Sequence, residues 1–275
     1  MGKYIDPFSD FGFKLIFGQE ENKDVLIGFL NGLFEGERVI TDVQYLDKEQ
    51  LPGDKKERRM IYDIYCQTEQ GEHIIIEMQK LPQKHFKERA LLYLARVLDR
   101  QSMRGKSGNN YDVNAVYGVF FMNFTEDRMA RKLRTDVALA DRQSNEHFSD
   151  KLRMIFIQLP EFRKREEECE TFFERWIYNL KNMNILHSLP WKEEYKEFKR
   201  LSEICETANL TPEQRASYER SIKTFLDNND ILEYQLDKGI EKGRADTAKN
   251  LKAMGMDYSI IQQATGLSKE EIEKL

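Results

Sequence analysis

The segment MIYDIYCQTEQGEHIIIEMQK, residues 60–80, decides how this chain folds. Residues 60–68 are rich in strand formers, Glu69-Gln70-Gly71 is a turn signal, and residues 72–79 form a second strand-like run. Together they predict a β-hairpin. Side chains at i and i+2 share a face of a strand. Glu77 and Gln79 therefore point one way, and Ile76 and Met78 the other. A three-residue loop with glycine last, where a left-handed residue is needed, pairs Thr68 with Glu72. Counting back along both strands then sets Asp63 directly opposite Glu77 on the same face, with Cβ atoms roughly 5 Å apart. Two carboxylates that close repel unless a cation or a proton sits between them. Two carboxylates and a backbone carbonyl suit Mg²⁺ or Mn²⁺, and such an ion lowers the pKa of bound water and offsets charge on a phosphate. A two-residue loop would shift the register by one and put the acids on opposite faces. The competing reading is a solvent-facing hairpin with two unrelated acids.

Working outward, Ser9 or Asp10 can cap a short helix through Phe17, which Gly18 ends. A second helix starts near Asn22. Its Leu26, Phe29, Leu30 and Leu33 fall at helical spacing, and Asn31-Gly32 and Gly36 mark its end. Residues 83–106 read as a helix with strong formers and no interior Gly or Pro, broken by Gly105, Gly108 and Asn109-Asn110. The apolar run 113–124 suits a strand buried on both faces. Segments 133–140 and 152–159 look like two more strands joined by the polar stretch 141–150. From about Glu166 the pattern is helical, punctuated by Pro190 and Pro212. Residues 231–254 form a charged helix with a thin apolar stripe and two glycines, read as a linker or a helix that needs a partner. The order is that of an α/β core with an all-helical C-terminal region. It divides at 1–165 (core), 166–230 (helical extension) and 231–275 (charged helix and tail).

Composition narrows the function classes. The chain has 275 residues and a net charge of −5, which excludes a globally basic nucleic-acid binder but not a local basic patch. With 33% charged and 40% hydrophobic residues it fits a globular chain better than a disordered one. MGKYIDPFSD carries no apolar run of the secretory type, and no stretch reaches the ~18 apolar residues that span a bilayer. Cys66, Cys169 and Cys205 fit neither a disulfide framework nor a zinc site, so a reducing cytoplasm is expected. The four histidines form no HExxH group. Neither GxxxxGK[ST] nor GxGxxG occurs, so no nucleotide cofactor is expected.

Asp63, followed by Glu77-Met78-Gln79-Lys80 after Ile74-Ile75-Ile76, resembles the PD-(D/E)XK nuclease signature with Gln where lysine is usual. Ser9 to Gly18, then Asn22-Lys23 and Phe29-Leu30-Asn31, resembles the N-terminal motif of one subfamily. Glu88-Arg89-Ala90 with Tyr93, Gln101, and Gly108-x-x-Tyr111 resembles its middle motif. The whole is similar to the PD-(D/E)XK nuclease family transposases, also described as recombination-promoting nucleases, over about residues 5–160 and more loosely beyond. The resemblance implies a restriction-endonuclease-like core, a central mixed β-sheet flanked by helices. It implies Mg²⁺-dependent cleavage of DNA (Mn²⁺ substituting), with Asp63, Glu77 and the Met78 carbonyl as metal ligands. Gln79 would orient a water but carries no charge, so it cannot stabilise the transition state as lysine would. Lys80 faces away by strand parity, which leaves Lys14 as the favoured compensating cation. Asp10 is a candidate extra acid or a helix cap. A three-carboxylate transposase arrangement of the DDE type is not found.

Residues 80–106 hold eight Lys/Arg against Glu88 and Asp99. At about 100° per residue, Arg89, Tyr93, Arg96 and Arg100 share one side of the helix, with Leu91, Leu94 and Leu98 opposite. Beside the hairpin this stripe reads as a phosphate track. The cluster Arg128, Arg131, Lys132 and Arg134 reads as a solvated loop. The tail 257–275 reads as helix, Gly turn, Ser cap and second helix. It is either helix-turn-helix-like or a packing or dimerisation hairpin. Three functions follow: a metal-dependent DNA endonuclease, with a possible homodimer through the C-terminal helices; a nuclease-fold protein of little activity that binds DNA or a partner; or a partner-binding scaffold using the helical C-terminal third.

Overall fold

The computed structural model describes residues 2–50, 60–102 and 112–275. Two compact units are present, Met1–Tyr218 and Glu219–Leu275. The first holds a six-stranded mixed sheet in the order β1-β4-β5-β6-β8-β7. Its strands are β1 (Val43–Tyr45), β4 (Ile64–Thr68), β5 (His73–Gln79), β6 (Val116–Met122), β7 (Arg134–Ala140) and β8 (His147–Gln158). β2 (Glu49–Gln50) and β3 (Met60–Ile61) make a separate two-stranded ladder. β1, β4 and β5 are antiparallel neighbours, β5, β6 and β8 run parallel, and β7 returns antiparallel. This is the restriction-endonuclease-like α/β architecture that the resemblance implies.

The hairpin has the expected register: Ile64 faces Ile76, Tyr65 faces Ile75 and Gln67 faces His73. The turn sets it. Gly71 takes φ +85° and its N–H donates to the Thr68 carbonyl at 2.9 Å. The first strand differs from expectation, because it breaks at Tyr62-Asp63. The Tyr62 N–H goes to the Lys48 carbonyl at 3.0 Å and the Asp63 N–H to the Glu77 carboxylate at 3.1 Å, so neither joins the β4–β5 ladder.

α1 (Asp10–Phe17) is capped by Ser9, whose Oγ accepts from the Gly12 N–H at 2.9 Å. α2 (Lys23–Leu33) ends at a Phe34 cap, between the Asn31-Gly32 and Gly36 that mark its end in the sequence. Gly32 lets Trp176 and Phe172 pack closely, since a Cβ there would come within 3.1 Å of Trp176 and 3.2 Å of Phe172. α1, α2 and α4 (Phe172–Asn182) cover one sheet face, with Phe13, Phe17 and Phe29 all within 6.2 Å of the Phe121 ring. α3 (Phe86–Ser102) covers the other face. Phe86 sits edge-on to Phe120 and Phe156, at 5.8 Å from each ring. β6 is buried along its whole length, as its apolar run required. The helix break expected at Gly105–Asn110, and Gly108 and Tyr111 of the middle motif, lie outside the described residues. β8 begins at His147, well before the expected Leu152.

α5 (Lys196–Cys205) completes the helical cover, and α6 (Pro212–Ala253) is one continuous helix of 42 residues. Pro212 starts it, since proline at the first helical position loses no hydrogen bond. In the second unit, α7 (Tyr258–Thr265) and α8 (Lys269–Lys274) fold back on the end of α6 around Ala248, Ile261 and Ile272. Gly266 supplies the left-handed turn at φ +73°, and Ser268 with Glu271 forms the capping box of α8. The expected helix, Gly turn and Ser cap are therefore present, as a small packed hairpin. No described helix is long and apolar enough to cross a membrane.

Gly118 on β6 fixes the approach of α3. A Cβ there would lie 2.6 Å from Leu94 Cδ1 and 2.6 Å from the Phe120 ring. Gly118→Ala should therefore cost about 2 kcal/mol by overpacking, read as a lower urea midpoint at unchanged slope. An unchanged midpoint would mean that α3 is not seated against β6.

Candidate active site

Asp63 lies at the bend before β4 and Glu77 near the end of β5, on the sheet face under α3. The two are locked by an exchange of backbone hydrogen bonds across the strands. The Asp63 N–H donates to Glu77 Oε1 at 3.1 Å, and the Met78 N–H donates to Asp63 Oδ2 at 2.9 Å. One oxygen of each carboxylate is thereby fixed. Among the described residues the other takes no hydrogen bond.

Glu77 is 4% exposed, and its carboxyl is pushed up to about 8, by burial first and by the Asp63 charge second. Asp63 is raised as well, chiefly by burial and partly offset by its bond from Met78. Lys14 from α1 and Arg89 from α3 both lower the two carboxyls. The pair is thus flanked by one cation from each of two helices. Lys14 forms an ion pair with Asp10 at 2.5 Å, and the Asp10 charge acts on Asp63 in the raising direction. A cavity of about 290 Å³ opens beside Asp63, lined by Lys14, Tyr45 and Lys48 among others.

Gln79 ends β5, shares the face of Glu77 by parity and is part-buried. Lys80 turns to the other face and pairs with Asp6 at 3.3 Å, as parity required. Met78 enters through its N–H, whereas the sequence expectation concerned its carbonyl. Among the described residues no three His, Cys, Asp or Glu side chains converge to hold a metal. Two opposed carboxylates, each with an oxygen to give, nevertheless fit a hard divalent ion that keeps waters and substrate oxygens as its remaining ligands.

On α3 the buried face is Phe86, Ala90, Leu94 and Val97. Leu91 was expected on that face but is 49% exposed. The stripe of Arg89, Tyr93, Arg96 and Arg100 lies on the flank of this face, with all four residues half-buried. Tyr93 packs edge-on against Tyr62 at 5.0 Å, and burial first, then the Glu77 charge, raises its phenol. Arg89 crosses the Tyr93 ring at 5.8 Å and bonds Gln83. Sequence reasoning assigned Arg89 to a DNA track and missed its charge at the carboxylates. The signal was the short 80–85 link, which returns the first turns of α3 over the end of β5. Arg134 also departs from its assignment to a solvated loop. It opens β7 and pairs with Asp136 at 2.8 Å and Glu37 at 3.6 Å.

The fold and the opposed acids define a nuclease-like protein of the restriction-endonuclease type. The chain belongs to the PD-(D/E)XK nuclease family transposases, whose family model matches residues 7–235. No curated protein and no solved structure matches it.

A carboxyl that holds its proton to higher pH in the folded state than in the unfolded state gives stability that is full below the unfolded value and lost as pH rises through the folded one. For Glu77 that window runs from 4.5 to about 8. In chelator, the Tm should fall as pH rises across it, and Glu77→Gln should flatten the fall. A Tm that rises with pH, or a fall unaltered by Glu77→Gln, would contradict the assignment.

Proposed function

We propose that this protein is a metal-dependent endonuclease hydrolysing DNA phosphodiester bonds, of the recombination-promoting type. The observation that carries the reading is the desolvated Asp63–Glu77 pair, held by mutual backbone hydrogen bonds and flanked by Lys14 and Arg89. Asp63 and Glu77 would hold Mg²⁺, or Mn²⁺ in its place, with the Met78 carbonyl as a third donor. Bound there, the ion supplies a water of lowered pKa and a charge opposite the phosphate oxygens. The Gln79 amide can hold and orient the attacking water through one donor and one acceptor, but contributes no charge. Lys14 and Arg89 set positive charge on either side of the carboxylates, where the transferred phosphate gains negative charge. Asp10 positions Lys14 through their ion pair. Arg89, Tyr93, Arg96 and Arg100 continue along α3 as a DNA track. A second reading, a nuclease fold of little activity that binds DNA or a partner, is favoured by the uncharged Gln79 alone.

Supercoiled plasmid tests the two readings. Wild type should nick it with Mg²⁺ or Mn²⁺ and not with chelator, and Asp63→Asn and Glu77→Gln should abolish nicking. Arg89→Ala should lower the rate by about 10²-fold, the scale of losing one charge-stabilising donor. Cleavage that survives both carboxylate changes would sink the assignment. No cleavage by wild type, with a gain in Gln79→Lys, would favour the binding reading.

The partner of α6 is a second copy of this chain. Leu232, Leu236 and Ile240 are exposed and lie within about 80° of arc at 100° per residue. Gly239 and Gly243 share this side, and a Cβ on either would meet nothing. Residues 227–237 carry Asp227, Asp230, Glu233 and Asp237 with no Lys or Arg, whereas 238–252 carry five Lys/Arg against Glu241 and Asp246. Antiparallel pairing of two copies opposes these charges and brings the glycines into close helix contact. Sedimentation should show a dimer that Leu236→Glu converts to monomer while the unfolding of the first unit is unchanged. A monomeric wild type at micromolar concentration would contradict this.

A further inference from the structure

The paired register carries the carboxylate row across the whole sheet. Glu77 pairs with Phe120, Phe120 with Phe156, and Phe156 with Thr135. Asp63, Glu77, Phe120, Phe156 and Thr135 therefore share one face and one line, under the first turns of α3. Three strand spacings set Thr135 about 14 Å from Glu77. That is about four nucleotide rises along a B-DNA strand.

At the far end of this row is a second cavity of about 360 Å³. Its walls are apolar: Met129, Val137, Met154 and Phe156. Thr135 contributes a buried hydroxyl with no hydrogen-bond partner among the described residues. Lys87 and Arg128 also line it, and Lys87 ties the loop to α3 by donating to the Arg128 carbonyl at 2.8 Å. Arg128, Arg131, Lys132 and Lys84 are exposed. The loop cations that read in sequence as a bland solvated cluster thus stand beside a pocket aligned with the carboxylates.

A simple anion would have no use for four apolar walls. An apolar side chain would have no use for two cations and an unpaired hydroxyl. A nucleotide has both halves, a flat base that can enter an apolar slot and a phosphate that seeks cations. We propose that this pocket takes a base unstacked from the DNA strand a few nucleotides from the cut, with Lys87 and Arg128 on its phosphate and the Thr135 hydroxyl on a base edge. The inference rests on the nuclease reading and adds to it a second contact that fixes the strand relative to Asp63 and Glu77.

Oligonucleotide duplexes carrying 2-aminopurine at successive positions test it in chelator, where binding is read without cleavage. Wild type should enhance the fluorescence at one position and bind with a steep salt slope. The Lys87→Gln, Arg128→Glu double variant should bind about tenfold more weakly at moderate salt and lower the slope by between about 0.7 and 0.9, the loss of one neutralised phosphate. Val137→Trp, on the edge strand, should fill the slot. It should abolish the fluorescence gain at unchanged slope and unchanged Tm. If both variants match wild type in affinity, slope and fluorescence while wild type binds and nicks DNA, the pocket proposal falls and the nuclease reading stands. If wild type binds no DNA, the nuclease reading falls and takes the pocket proposal with it.

Discussion

Two backbone N–H groups, those of Asp63 and Met78, hold the arrangement on which the candidate site depends. Each donates to the carboxylate of the opposite strand, so the acids are fixed to the hairpin itself. The Gly71 turn sets the register, and strand parity does the rest. A slip of one residue would send Asp63 and Glu77 to opposite faces. The same exchange explains why β3 and β4 are separate strands. The Asp63 N–H is committed to a side chain, so it is lost to the ladder at that point.

Burying two carboxyls side by side has an electrostatic cost that the surrounding helices reduce without removing. Lys14 reaches the pair from α1 and Arg89 from α3, and both pull the carboxyls down while burial and mutual repulsion push them up. Burial, with repulsion second to it, prevails, and Glu77 keeps its proton into the neutral range. The signature that the hairpin resembles has a lysine where Gln79 stands. Here positive charge comes from helices on either side of the strand instead, and Lys80 cannot contribute because parity turns it to Asp6.

The hairpin was legible in the sequence because each of its determinants is local: strand formers, a glycine at the left-handed turn position, and a period of two. The double burial of β6 was legible for the same reason, since an unbroken apolar run leaves no polar face to solvate. What escaped depends on partners far along the chain. Periodicity located a stripe on α3 but not the rotation of the helix. That rotation is fixed by Leu94 seating against Gly118, and it leaves Leu91 in solvent. Arg134 reads as one cation among several until Glu37 and Asp136 are brought beside it. The charged stretch with two glycines reads as a helix or a linker, and the choice falls to the helix, which continues from Pro212 through both glycines.

β6 links these features. Its consecutive phenylalanines serve different layers: Phe121 faces α1 and α2, and Phe120 faces α3 and stacks on Phe156 at 5.1 Å. Because Phe120 stands beside Glu77 in register, the aromatic row is the wall that desolvates the carboxyl. It is also the floor that continues from the carboxylates toward Thr135. A polar or shorter residue at 120 would admit water to Glu77, lower its proton affinity and interrupt that floor at once. Acidity at one end of the row and access to the cavity at the other are therefore set by the same ring.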